Sequence, residues 1–185
     1  RSRATTLYRP DSWPPSTGER EGLDPDAIQP EGLIRRSVDV DPFRGAARLV
    51  FAPADATGSL AVSVSLRVTA SAREARTGFL DSLGRVAKEL RPARTLGVTA
   101  GEVGFGAADE AGRLRHASLV RGNVVGTFAG DSAGEPAATD RALRSLVAAW
   151  ERASLAAPGV PAGGSVPSPR ATSRRSSSRS CCAPP

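Results

Sequence analysis

Methionine is absent from these 185 residues, and cysteine is absent from all but the last five, where Cys181 and Cys182 stand side by side. A body without cysteine has neither a disulfide framework nor a thiolate metal site, and its redox compartment stays open. Lysine occurs once, as Lys88 among 25 basic residues, and histidine once, as His116. General-base chemistry near neutral pH therefore has a single imidazole to draw on. No apolar run approaches the roughly 20 residues needed to span a bilayer, so no transmembrane helix is expected. The tail from residue 156 has none of the chain's 19 acidic residues, while it holds Arg170, Arg174, Arg175 and Arg179. Residues 1–155 are close to charge balance, and the net charge of +6 mainly describes the tail. A nucleic-acid-binding domain would carry a basic face of its own. The body shows none in its sequence.

Ala, Gly, Pro and Arg are used heavily, the codon bias of a GC-rich genome. The first residue is Arg1, so the sequence reads as a processed product or an excised fragment. Its length suits one domain with a real core. That core is organised around residues 60–69, LAVSVSLRVT, where Leu60, Val62, Val64, Leu66 and Val68 alternate with small or charged residues. A period of two places the branched residues on one face of a strand, which needs a covering layer.

Residues 1–32 carry five prolines and little periodicity and read as an extended leader. Trp13 in that leader is a candidate partner contact, against the commoner outcome in which such a ring packs on its own domain. Residues 33–41 (LIRRSVDVD) have weak strand character. Residues 47–52 form a better strand, joined to the organising one by a Pro/Asp/Gly loop suited to a hairpin. Ser71 and Glu74 then fit a capping box. Ala75, Phe79, Leu83, Val86 and Leu90 recur as one apolar stripe of a helix stopped by Pro92, with Gly78 and Gly84 letting it approach the sheet. Short strands follow at 102–107, 113–121 and 123–129, the last two flanking a turn at Gly122-Asn123. A second helix runs from Thr139 as N-cap to Ser154, with Leu143, Leu146, Val147 and Trp150 as its stripe. Residues 156–185 are rich in Pro, Gly, Ser and Arg and are expected to be disordered. The spacing predicts an α+β domain over residues 33–155. Its antiparallel sheet has about five strands, in the order β-β-α-β-β-β-α, with both helices on one face and the opposite face more polar.

The run GEVGFG, followed by LVRGNVVGTF and a final helix, resembles a pattern in small bacterial secreted and lipoprotein domains, with an element order similar to the Mog1/PsbP-like α+β fold. The resemblance covers roughly half the chain. It implies a binding or accessory domain and carries over no catalytic residue. Gly126 interrupts the run of β-branched residues usual after Val125.

Few residues qualify for chemistry. Ser118, His116 and Asp109 compose a nucleophile, base and acid on paper, but residues two apart on a strand are not expected in nucleophile-to-base geometry, and no G-x-S-x-G elbow is present. Asp39 and Asp41 fall short of a calcium loop. Glu102, Asp109 and Glu110 have no histidine partner, and GEVGFG lacks the lysine and helix N-terminus of a phosphate loop. No catalytic, cofactor-binding or metal-ligating residue is therefore assigned. The expected function is a non-catalytic binding or accessory domain of an exported bacterial protein, secreted or periplasmic, with a protein partner. Its contact surfaces are expected to be the sheet face opposite the helices and the Trp13 leader. A second reading is a polyanion or nucleic-acid adaptor working through Arg170, Arg174, Arg175 and Arg179, although that tail lacks aromatic rings for stacking bases. An enzyme of unknown class is third.

Overall fold

A computed structural model describes residues 13–54, 60–89, 94–131 and 134–159. Its strands are β1 (Leu33–Asp41), β2 (Ala46–Pro53), β3 (Val62–Val68), β4 (Arg94–Gly97), β5 (Val103–Ala108), β6 (Leu114–Arg121) and β7 (Val124–Gly130); its helices are α1 (Ala72–Glu89), between β3 and β4, and α2 (Pro136–Ala156), after β7. The strands form one sheet in the order β1-β2-β3-β7-β6-β5-β4, antiparallel throughout. The α+β class and the antiparallel sheet hold. The expected strand number and order do not, because residues 33–41 pair with β2 on both sides of a bulge at Arg36 and residues 94–97 add a strand after α1.

The two helices lie on opposite faces, which corrects the one-face arrangement. Leu143, Leu146, Val147 and Trp150 of α2 share a core with Leu49, Phe51, Val62, Val64, Leu119 and Phe128. Ala75, Phe79, Leu83 and Val86 of α1 share a second core with Val103, Phe105, Ala107 and Val120. Adjacent residues Leu119 and Val120 thus point to different helices, as alternation along a strand requires. Every residue of β5 is buried. A strand covered on both faces loses its alternating signature, and the glycines and alanines of VGFGAA make it harder still to read.

Both helix starts follow the expected chemistry with small shifts. Ser71 Oγ accepts from Glu74 N at 3.2 Å, and Glu74 Oε2 accepts from Ala70 N at 3.2 Å, so the box closes one residue earlier than a standard one. Helix α2 begins at Pro136 with Glu135 as its cap, accepting from Ala137 N at 2.9 Å and Ala138 N at 2.7 Å. Thr139, expected to be the cap, is buried inside the helix, and its hydroxyl donates back to Glu135 O at 3.0 Å. Gly78 and Gly84 face open space rather than the sheet. The close approach is at Gly126, where a Cβ would stand 3.0 Å from Trp150 Nε1 and from the Phe128 ring. The break in the β-branched run leaves room for the largest buried side chain of α2. Leu90, Pro92 and most of the β2–β3 loop lie outside the described residues.

Residues 13–32 run over the domain as a strap. Ile28 is buried in the α2 core, and Glu31 O accepts from Ser145 Oγ at 2.9 Å. The strap is fastened at the β6–β7 turn. Glu102, whose side chain is 3 % exposed, accepts from Thr17 N at 2.7 Å, Thr17 Oγ1 at 2.6 Å, Arg76 Nη2 at 2.9 Å and Gly122 N at 2.9 Å. Asn123 grips the backbone of Arg20 twice, Oδ1 accepting from N at 2.6 Å and Nδ2 donating to O at 3.0 Å. Between them Gly122 takes φ +56°, with Gly18 O where a side chain would begin, so only glycine fits.

Candidate functional site

The paper triad is only partly assembled. His116, Ser118 and Ser82 meet beneath α1, with His116 Nε2 3.2 Å from Ser118 Oγ and Ser118 Oγ 3.4 Å from Ser82 Oγ. The geometry expected to be missing between His116 and Ser118 is therefore present, because the imidazole reaches along the strand. Ser118 has no exposed surface, however, and Asp109 is engaged by Arg113 Nε at 2.8 Å in the β5–β6 turn. Burial lowers His116 to about 4, so the ring is neutral at physiological pH. This is a hydrogen-bonded chain with Ser118 fully inside the core.

Glu102 and Asp41 are engaged in structural contacts. Burial alone would push Glu102 up, but the hydrogen bonds from Thr17, Arg76 and Gly122 outweigh it and hold the group below its ordinary value. Asp41 caps the β1–β2 turn, accepting from Phe43 N at 3.1 Å, and Asp39 stands opposite Arg48 in the neighbouring strand. Among the described residues no group of three or more His, Cys, Asp or Glu side chains could hold a metal ion. No helix among the described residues is long and apolar enough to cross a membrane.

Trp13 is turned inward. The residue is 9 % exposed, and its ring meets Phe79 edge-on with centroids 5.6 Å apart and lies under the Arg76 guanidinium at 5.9 Å. The commoner of the two outcomes weighed for such a ring is the one seen, packing on its own domain, where it closes the α1 core. Arg170, Arg174, Arg175 and Arg179 lie outside the described residues.

Two surfaces at the β1–β3 end combine access with chemistry of interest. One is a cleft of about 460 Å³ between α1 and the sheet, lined by Ser65, Arg67, Thr127, Asp81, Ser82 and Arg85 among others. Ser65 lies opposite Thr127, which lies opposite Ser118 on its other side, so three hydroxyl residues form a row across β3, β7 and β6. The other surface is the β1–β2 hairpin. Strand β1 ends the sheet, and its outer edge is unpaired among the described residues. Five large apolar residues are exposed among those described: Ile34 (40 %), Val38 (47 %), Val40 (53 %), Phe43 (100 %) and Leu155 (57 %). Four of the five belong to this hairpin. Val38 and Val40 pair with Leu49 and Ala47 and so lie on the α2 side, past the end of that helix's cover. Sequence reasoning passed over this surface because Arg35, Arg36, Asp39 and Asp41 interrupt the apolar residues of LIRRSVDVD. The available signal was Phe43, an aromatic placed directly after Pro42 in a turn.

No family model, curated protein or solved structure matches the chain.

Proposed function

We propose that this chain is a non-catalytic binding domain that takes a protein partner at the free edge of its sheet, the partner adding an extended strand beside β1. The carrying observation is the concentration of exposed apolar side chains on the β1–β2 hairpin. A nine-residue edge strand offers its row of outward N–H and C=O groups as a template, which charges and a bulge between Arg35 and Ser37 blunt only in part. Here Val38, Val40 and Phe43 are left in solvent beside it. Strand addition uses these two elements together: main-chain hydrogen bonds supply affinity, and side chains on alternate positions supply selectivity.

The test is capture by the full chain from a lysate of the source cell, beside two variants, Val38→Lys and Phe43→Ser. Both positions are exposed, so folding should survive and can be checked by thermal melting. Loss of a specific protein in both variants, with melting unchanged, is the expected result. Equal capture by all three proteins would remove the edge from consideration. Capture that disappears only with residues 160–185, and washes off as nucleic acid between low and moderate salt, would transfer the function to the arginine tail.

A further inference from the structure

The free edge strand is basic in its first half, Arg35 and Arg36, and acidic in its second, Asp39 and Asp41; Arg35 is paired with Asp26 and Asp41 with its own turn, which leaves Arg36 and Asp39 to face a neighbouring strand. Arg36, Asp39 and both valines are exposed. We propose that β1 pairs antiparallel with β1 of a second copy of this chain, about a two-fold axis near Val38, joining two sheets into one; this rests on the edge-binding function proposed above. Antiparallel pairing lays the arginine end of each strand along the aspartate end of the other. Parallel pairing would set like charge beside like, which is unfavourable across a sheet. The strand is thus complementary to itself in one direction only.

Side-chain placement agrees with the charge pattern. An axis normal to the sheet keeps each face on its own side. Val38 and Val40 of both copies then form one apolar row on the α2 side, continuous with Leu49 and Ala47. The contact closes at two copies because the same strand supplies both halves. Pairing β1 with the other edge, β4, would run on as a filament, and β4 has only four residues, Arg94–Gly97, to set against nine. The bulge between Arg35 and Ser37 bends the first half of β1 and shortens the flat stretch. The dimer is accordingly a weak one, at the small end of the interface range.

The experiment is sedimentation equilibrium of the full chain over about 1 to 300 µM, spanning the affinities expected of a small interface. It is repeated with Val38→Lys, Arg36→Glu and Asp39→Arg, and with the last two mixed in equal amounts. The wild type should show a concentration-dependent monomer–dimer equilibrium. Each charge variant should weaken it by about tenfold, because every substitution counts twice about a two-fold axis. The mixture should recover a dimer, since one chain then carries only acidic groups at positions 36 and 39 and its partner only basic ones. A monomer at all concentrations, or a dimer indifferent to these variants, overturns the proposal. If the monomer still captures another protein and Val38→Lys abolishes that capture, self-pairing fails while the edge-binding function stands. If Val38→Lys leaves the capture unchanged, both fail.

Discussion

The two halves of the sheet are built on different terms. Strands β5 and β6 lie between the helices and are buried nearly throughout, whereas β1 is exposed at seven of its nine positions. On the α2 side the core extends as far as Leu49 and Phe51, but on the α1 side the cover stops at β7 and leaves Ser65 and Arg67 facing water. Stability is thus concentrated at one end and available surface at the other. Recognition sites are drawn from the less constrained parts of a fold, and here that division coincides with the line between β7 and β3.

The contrast is broken most severely from the covered half. Trp150→Ala removes a fully buried ring that packs edge-on against Phe128, and should cost about 3–5 kcal/mol in chemical denaturation. Next comes acid. In the unfolded chain His116 takes a proton near its ordinary 6.5, while in the folded core it resists protonation down to about 4. Between those values the unfolded state binds the extra proton, so stability falls as pH drops from 6.5 to 4, by about 3 kcal/mol in all. His116→Gln should flatten that window, which denaturation curves taken at several pH values will show; an unchanged slope would mean another group carries it. Glu102 also loses its contribution on acidification, but only as pH falls through its depressed folded value. Glu102→Gln, which keeps the shape and removes the charge, should cost about 2 kcal/mol and speed hydrogen exchange at the Thr17 amide. The smallest effect belongs to the open half. Ser65→Val and Val38→Ala should each stay within about 0.5 kcal/mol of wild type, and a cost several times larger would show that this end is more tightly packed than its exposure implies.

What could be read from the sequence divides along the same line. Leu143, Leu146, Val147 and Trp150 repeat at helical spacing, and all are buried. Gly122-Asn123 turns the β6–β7 hairpin, and the strand at residues 60–69 alternates because only one of its faces lies under a helix. Strands β5 and β6 hid their second buried face, since Gly104, Gly106 and Ala117 carry no side-chain bulk to mark it. Alternation alone therefore points to a single covered face. The work of Glu102 depends on Thr17, 85 residues away, and that of Asn123 on Arg20, 103 away. Spacing along a chain has no means of announcing such contacts. The candidate edge was obscured for the opposite reason: exposure of Val38 and Val40 follows from the absence of a neighbour, which only the completed sheet order reveals.

The strap brings the two ends of the described chain together. Arg20 bridges Gly159, and Glu21 N donates to Pro158 O at 3.2 Å. Tension applied through these ends would therefore open the domain like a zipper, releasing the Glu102 clamp at Thr17 and then the Asn123 clamp and the bridge at Arg20. The ladder hydrogen bonds of the sheet would come under strain only after that. The molecule should yield at low force and in steps, and its sheet should outlast the first of them.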